Sequence, residues 1–268
     1  MHGRAITLTS DPAPVEIINP DASAPLLIIG DHAGCAVPRD LVDARGPLGL
    51  PAADLQRHIG WDIGAASVAR QLAQRLSATA VLAVYTRLLI DPNRALGDPD
   101  SIPATSDGIA IAPNANVDDA LSRARADAFY WPYHTAIDGQ LGRLMRKGPV
   151  PLLLSMHSFT PALMKAGSQR PMHVGIMASR DMRLADRLIA GLKQRPGMNV
   201  TFNEPYSGIT HGYCLKVHGL AQGIPHAQVE IRQDLICTAA GQSWWAGLLT
   251  QLLAPIVADA SLHAIEHY

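Results

Sequence analysis

The sequence predicts an α/β fold, a three-layer single domain over residues 1-268. Two observations carry that expectation. Short apolar runs alternate along the chain with longer stretches of helical period. Three of those runs also deliver an isolated polar residue of catalytic type at or just past their ends, where the crevices of α/β sheets collect ligands. With 48% apolar and 17% charged residues, the composition supports a packed core rather than disorder.

The elements follow in order. Pro25-Leu26-Leu27-Ile28-Ile29-Gly30 reads as a buried strand over 25–31, and Gly34, Pro38, Gly46 and Pro51 mark the loop after it. Ile63, Val68, Leu72 and Leu76 recur at roughly helical spacing, which predicts a helix over 62–76. Residues 80–85 form a second strand, with 86–91 as its extension or return. The stretch 95–113 is rich in proline and aspartate and has no period, the pattern of a functional loop. A helix over 117–145 is kinked near Trp131-Pro132, where proline removes an amide donor. Strand 150–156 leads to a loop around Gly167 and strand 173–178. A helix over 181–194 stops before Pro196-Gly197, strands follow at 199–203 and 225–231, and a helix over 242–257 closes the chain.

Several function classes fall away. The formal net charge of −1, without runs of like charge, argues against nucleic acid or a membrane surface as partner. The N-terminus lacks a signal-peptide core, and no run approaches the ~20 apolar residues of a membrane span. Cys35, Cys214 and Cys237 are odd in number and lack CxxC spacing, so neither a disulfide framework nor a thiolate metal site is expected. A cytoplasmic protein is the simplest expectation. Eleven histidines raise the weight of metal or acid–base chemistry.

His32 follows the first apolar run, and small residues after it leave room for a ligand. His157 follows Leu152-Leu153-Leu154-Ser155-Met156; an unpaired imidazole is costly to bury there, so it needs a partner or a cleft. Asp62 stands where a helix begins, as a cap or as an oxygen ligand. Glu230 is either the general base for a water or the ion-pair partner of Arg232, which in the first case would orient an acidic substrate. Arg87, Asn93 and Arg94 could grip a carboxylate or polarise a carbonyl; an ion pair with Asp91 is the competing account. Ser158 lies in no nucleophile elbow, Cys35 near His32 is weak grounds for a Cys–His pair, and phosphate-binding Gly motifs are absent. The stretch around 203–208 with His211 reads equally as a substrate-covering loop or an ordinary turn.

Taken in order, Asp31-His32-Ala33-Gly34, Thr86-Arg87 with Asp91-Pro92-Asn93-Arg94, Tyr133-His134, Leu154-Ser155-Met156-His157-Ser158-Phe159 and Val229-Glu230-Ile231-Arg232 resemble the N-formylglutamate amidohydrolase family. The resemblance spans about 26–234. It implies a zinc carboxypeptidase-like, phosphorylase/hydrolase-type fold with a mixed sheet between helices, and removal of formate from N-formyl-L-glutamate in histidine breakdown. It also implies one Zn2+ held by His32, His157 and Asp62, with Glu230 as base and Arg87, Asn93 and Arg94 on the substrate. Cys35 stands where related zinc enzymes often carry Glu, and Asp31-His32-Ala33-Gly34 replaces a Pro-His-Ser-Gly opening. The sequence therefore predicts a zinc-dependent amidohydrolase acting on a small acidic N-acyl amino acid, with Glu230 and Arg94 catalytic. A related zinc exopeptidase, another N-acyl amino acid deacylase and a non-catalytic binding protein on the same scaffold are the rivals.

Overall fold

The computed structural model describes residue 6 and residues 8–163 and 169–268; the loop expected around Gly167 and the first five residues lie outside them. Seven strands form the main sheet: β1 (Val15–Ile18), β2 (Leu26–Gly30), β3 (Thr79–Ala83), β4 (Leu152–Phe159), β5 (Val174–Met177), β6 (Val200–Phe202) and β7 (His226–Arg232). Their order across the sheet is β1-β3-β2-β4-β7-β5-β6. The centre is parallel, β2 pairing with β3 and β4, and β4 with β7. The pairs β1–β3 and β7–β5 are antiparallel, so the sheet is mixed as expected.

The helices are α1 (Ala65–Arg75), α2 (Asp119–Arg125), α3 (Trp131–Lys147), α4 (Arg183–Lys193) and α5 (Ala239–Val257). Strand pleating divides the core between the two faces. Leu26 and Ile28 pack with α1, α4 and α5, while Leu27 and Ile29 pack with Tyr133, Ile137, Leu141 and Leu144 of α3. Covered on both sides, β2 can be apolar at every position, which is why it reads as a continuous run. A third cluster, including Leu88, Leu89, Ile90, Phe129 and Tyr130, supports the loops beside the carboxyl ends of β2 and β3.

Three expectations need correction. Residues 86–91 form hydrogen-bonded turns rather than extending a strand, Leu89 N–H donating to the Thr86 carbonyl. The kink at Trp131-Pro132 is a π turn, Ala126–Tyr130, inserted between α2 and α3, with Pro132 in the first turn of α3 where its missing amide is harmless. Strand β1 adds an element that the sequence pattern does not announce; its four residues form a half-exposed edge and lack the continuous apolar pattern of the central strands.

Candidate active site

Asp31 and His32 leave β2 together and are buried. His157 lies within β4 and Glu230 within β7, paired in register across that parallel ladder, so their side chains stand side by side. Asp62 arrives from the loop before α1. Its backbone N–H donates to the His32 carbonyl (2.9 Å), and its carboxylate accepts from Ser158 N–H (3.1 Å). It does not cap the helix: Gly64 occupies the cap position at φ +82°, and α1 has no side-chain cap. The Ser158 hydroxyl donates to the Ile63 carbonyl, and the Cys35 thiol to the Leu55 carbonyl. Burial pushes that thiol up to about 12, so neither group is a poised nucleophile.

His32, Asp62 and His157 converge: one ligand atom from each falls within 4.8 Å of the others. The outer ring nitrogens are occupied by carboxylates. His32 Nε2 lies 2.8 Å from Asp91 Oδ1, and His157 Nε2 lies 3.0 Å from Asp31 Oδ2. Asp31 is itself held by the Tyr133 hydroxyl, which donates over 2.6 Å. Each imidazole thus turns Nδ1 toward Asp62, at 2.7 Å from His157 and 3.5 Å from His32. Carboxylate–imidazole pairs that fix the tautomer and aim the inner nitrogen are how metal-ligating histidines are ordinarily supported. Two imidazoles and a carboxylate suit a catalytic divalent ion, and a proton here joins the same His157 and Asp62 atoms that would share one.

Charge confirms how tightly the groups are coupled. Burial works against the charged forms of His157 and Asp62. Hydrogen bonds to Asp31 and Asp62 outweigh it for His157, lifting that imidazole well above its ordinary value, and His32 and His157 outweigh it for Asp62, holding that carboxyl below the usual carboxylate range. For Glu230 burial wins and raises its pKa to about 7, with His157 pulling down and Asp62 pushing up. Gln228 Nε2–H donates to Glu230 Oε1 (2.7 Å), while Oε2 is buried with no partner among the described residues.

These residues line a cleft of about 810 Å³. Arg87, Asn93 and Arg94 line it too. Arg87 is bound by Asp91 and places Nη1 3.1 Å from His32 Nδ1, so it stands at the metal-facing side. Asn93 Oδ1 accepts from Cys214 N–H (2.9 Å), and among the described residues Arg94 pairs with Asp98, at 3.8 Å. His211 and Tyr206 form part of the opposite wall.

A model of the N-formylglutamate amidohydrolase family matches residues 24–237. The chain belongs to that family. It is 32% identical to a gene product of Agrobacterium tumefaciens, whose crystal structure it matches at TM-score 0.87 over 96% of this chain and 100% of the other. N-formylglutamate amidohydrolase from Ralstonia eutropha JMP134 shares the fold at TM-score 0.68 and 23% identity, over 93% and 99% of the two chains. No curated protein matches.

Arg232, predicted for the N-formylglutamate amidohydrolase site, is not among the residues lining the cleft. Its guanidinium pairs with Asp234 (2.7 Å) and donates to the Pro171 carbonyl (3.1 Å), tying β7 to the segment before β5. Sequence reasoning foresaw the Arg87–Asp91 ion pair as the competing account but assigned no role to Asp31, to Asp91 as an imidazole partner, or to the row Tyr130, Tyr133, His134. The row has i, i+3, i+4 spacing and aims three polar groups at the site. Tyr130 donates to the Arg94 carbonyl (3.1 Å), Tyr133 to Asp31, and His134 Nε2 to the Pro92 carbonyl (3.0 Å). That spacing was the available signal. Among the described residues, no helix is long and apolar enough to cross a membrane.

Proposed function

We propose that the chain is a zinc-dependent amidohydrolase that converts N-formyl-L-glutamate to formate and glutamate, acting from a single catalytic domain. One observation carries the reading: the inward-facing His32, Asp62 and His157 share a cleft with a buried carboxyl, Glu230, whose pKa of about 7 suits proton transfer in both directions.

His32, Asp62 and His157 would hold the ion, with Asp91 and Asp31 fixing the two imidazoles. When bound, the ion supplies Lewis-acid polarisation of the carbonyl and acidifies water. Glu230, through its unpartnered Oε2, takes the proton of the attacking water as the new C–O bond forms. The same carboxyl then gives that proton to the departing nitrogen as the C–N bond breaks. Arg94 is weakly paired and faces the cleft, which fits it for a substrate carboxylate or the oxygen gaining charge. Asn93 positions the backbone beside it, and Arg87 braces Asp91 at the inner end. Arg232 has no part in this scheme.

The test is product release from N-formyl, N-acetyl and N-carbamoyl derivatives of acidic and neutral amino acids by zinc-loaded protein. N-formyl-L-glutamate should be the fastest substrate. A preference for N-acetyl or neutral substrates would replace the named reaction with that of another deacylase, and no hydrolysis of any member would leave a binding protein.

A further inference from the structure

Behind the cleft, an exposed carboxylate and two buried imidazoles form a hydrogen-bonded line from the surface to the segment 91–94. Asp138 Oδ1, on the exposed side of α3, lies 2.8 Å from His218 Nδ1. His218 Nε2 lies 2.7 Å from His134 Nδ1, and His134 Nε2 lies 3.0 Å from the Pro92 carbonyl. Both rings are buried and stacked at 5.0 Å between centroids.

The ends of this line accept only. A carbonyl has no proton, so His134 Nε2 must carry one; the Asp138 carboxylate requires one on His218 Nδ1; and two lone pairs cannot face each other at 2.7 Å. The four ring nitrogens therefore hold three protons, one more than two neutral imidazoles possess. We propose that His134 and His218 are positioning residues for the substrate-binding segment 91–94, joined by one extra proton that resides on His218 opposite Asp138.

Burial first, and then positive charge on His218, lower His134 to about 4, which keeps the extra proton off His134. The other groups facing the pair leave the charge to Asp138. Gln222 reaches Asp138 at 3.4 Å, Tyr130 and Tyr213 place their rings against His134, and Asp31 acts on His134 from beyond Tyr133. Cys214 knits the same two segments together, its N–H donating to Asn93 Oδ1 and its thiol to the Pro92 carbonyl (3.3 Å). His134 is thus the post between the strand of chain bearing Asn93 and Arg94 and the turn Leu215–Gly219 that bears His218. The positioning role rests on the reading of Asn93 and Arg94 as substrate-binding; the extra proton does not.

Two measurements on the zinc-loaded protein test this. Ring nitrogen correlation spectra at pH 7 should show His218 protonated at both nitrogens and His134 only at Nε2. Asp138→Asn should convert His218 to a neutral ring, since an amide can donate to Nδ1. Two neutral rings in the unaltered protein would overturn the shared proton, without any bearing on the reaction assigned above. The second measurement compares His134→Phe with His134→Gln. Phenylalanine keeps the ring volume and loses both hydrogen bonds, so KM for N-formyl-L-glutamate should rise on the order of tenfold with kcat much less affected. Amide exchange at Asn93 and Cys214 should quicken with it. Glutamine can donate to Pro92 and accept from His218, so it should restore both quantities. A chain in which phenylalanine is tolerated and glutamine is not would show that His134 only fills space. Exchange at Asn93 and Cys214 needs no substrate, so it decides the role of His134 even in a protein inactive on N-formyl-L-glutamate.

Discussion

Glu230 owes both of its chemical properties to burial: the raised pKa, and an Oε2 left free beside His157. Glu230→Gln removes the proton carrier and keeps the shape. Zinc and substrate binding should persist while kcat falls on the order of 100- to 10,000-fold; loss of zinc would identify Glu230 as a ligand instead. Arg94→Ala should lower kcat/KM by about 10- to 100-fold, since a charge-assisted hydrogen bond contributes roughly 1.5–3 kcal/mol. Arg94→Lys should recover part, and the loss should shrink on substrates with amidated carboxylates; equal losses on both kinds would make Arg94 a scaffold residue. Asp91→Asn and Asp31→Asn should each weaken zinc affinity about 10- to 100-fold in a chelator competition, because each replaces the carboxylate on the outer nitrogen of one imidazole with a neutral amide. Unchanged affinity would separate these carboxylates from the metal site. His32, His157 and Glu230 were legible as candidates because lone polar residues beside apolar runs need an explanation; Asp62, at a helix start, read equally as a cap. Asp31 and Asp91 were not legible as imidazole partners, because those imidazoles lie 126 and 59 residues away and nothing local reveals the pairing. Arg232 misled by adjacency: two residues past Glu230, it turns to Asp234 and the 170–172 carbonyls.

The loop that carries Asp62 is set by Gly64. Its backbone adopts φ +82°, and a Cβ there would sit 2.1 Å from the Ile236 carbonyl oxygen. Gly64→Ala combines left-handed strain with a clash against backbone, so a cost of about 2–4 kcal/mol and a Tm fall of roughly 5–15 °C are expected. Zinc affinity should fall as well, because Asp62 lies two residues away. A thermal midpoint within about 2 °C of the unaltered protein would contradict the close packing assigned to this turn. At the same scale, β2, β3 and the first half of β4 could be read because strands covered on both faces carry nearly continuous apolar runs, and β7 because Ala227, Val229 and Ile231 alternate with its polar residues. The edge strand β1 is half polar, and the turns after β3 mimic a strand in composition because Leu88, Leu89 and Ile90 pack into a separate cluster under the loops.

Across the whole molecule, the parallel centre of the sheet brings residues from four distant segments into one cleft, and their charges are balanced within it. His157 has a carboxylate at each nitrogen, so without metal both nitrogens are protonated. Loading zinc should therefore expel at least one proton per ion, measurable by calorimetry in buffers of different ionisation enthalpy, and affinity should rise at least tenfold per pH unit below the raised pKa. Zero proton release would remove His157 Nδ1 from the ligand set. The stability of the metal-free chain follows the same group. A raised folded-state pKa stabilises fully below about 6.5, and the contribution is lost as pH climbs through the folded value. Metal-free protein should lose thermal stability in the alkaline range where zinc-loaded protein does not, and parallel profiles would contradict that assignment. The three-layer architecture was readable from alternating periods and the mixed sheet only from the family resemblance, whereas the order of the strands, which decides who meets whom in the cleft, was not readable.

Amidohydrolase activity in this chain should depend on one ion at His32, Asp62 and His157. That dependence is tested most directly by titrating zinc into metal-stripped protein while following formate release from N-formyl-L-glutamate. Activity should rise linearly from near zero and level off at one zinc per chain, with His157→Ala inactive at every loading. Full activity in the stripped protein, or a plateau unchanged by His157→Ala, would contradict it.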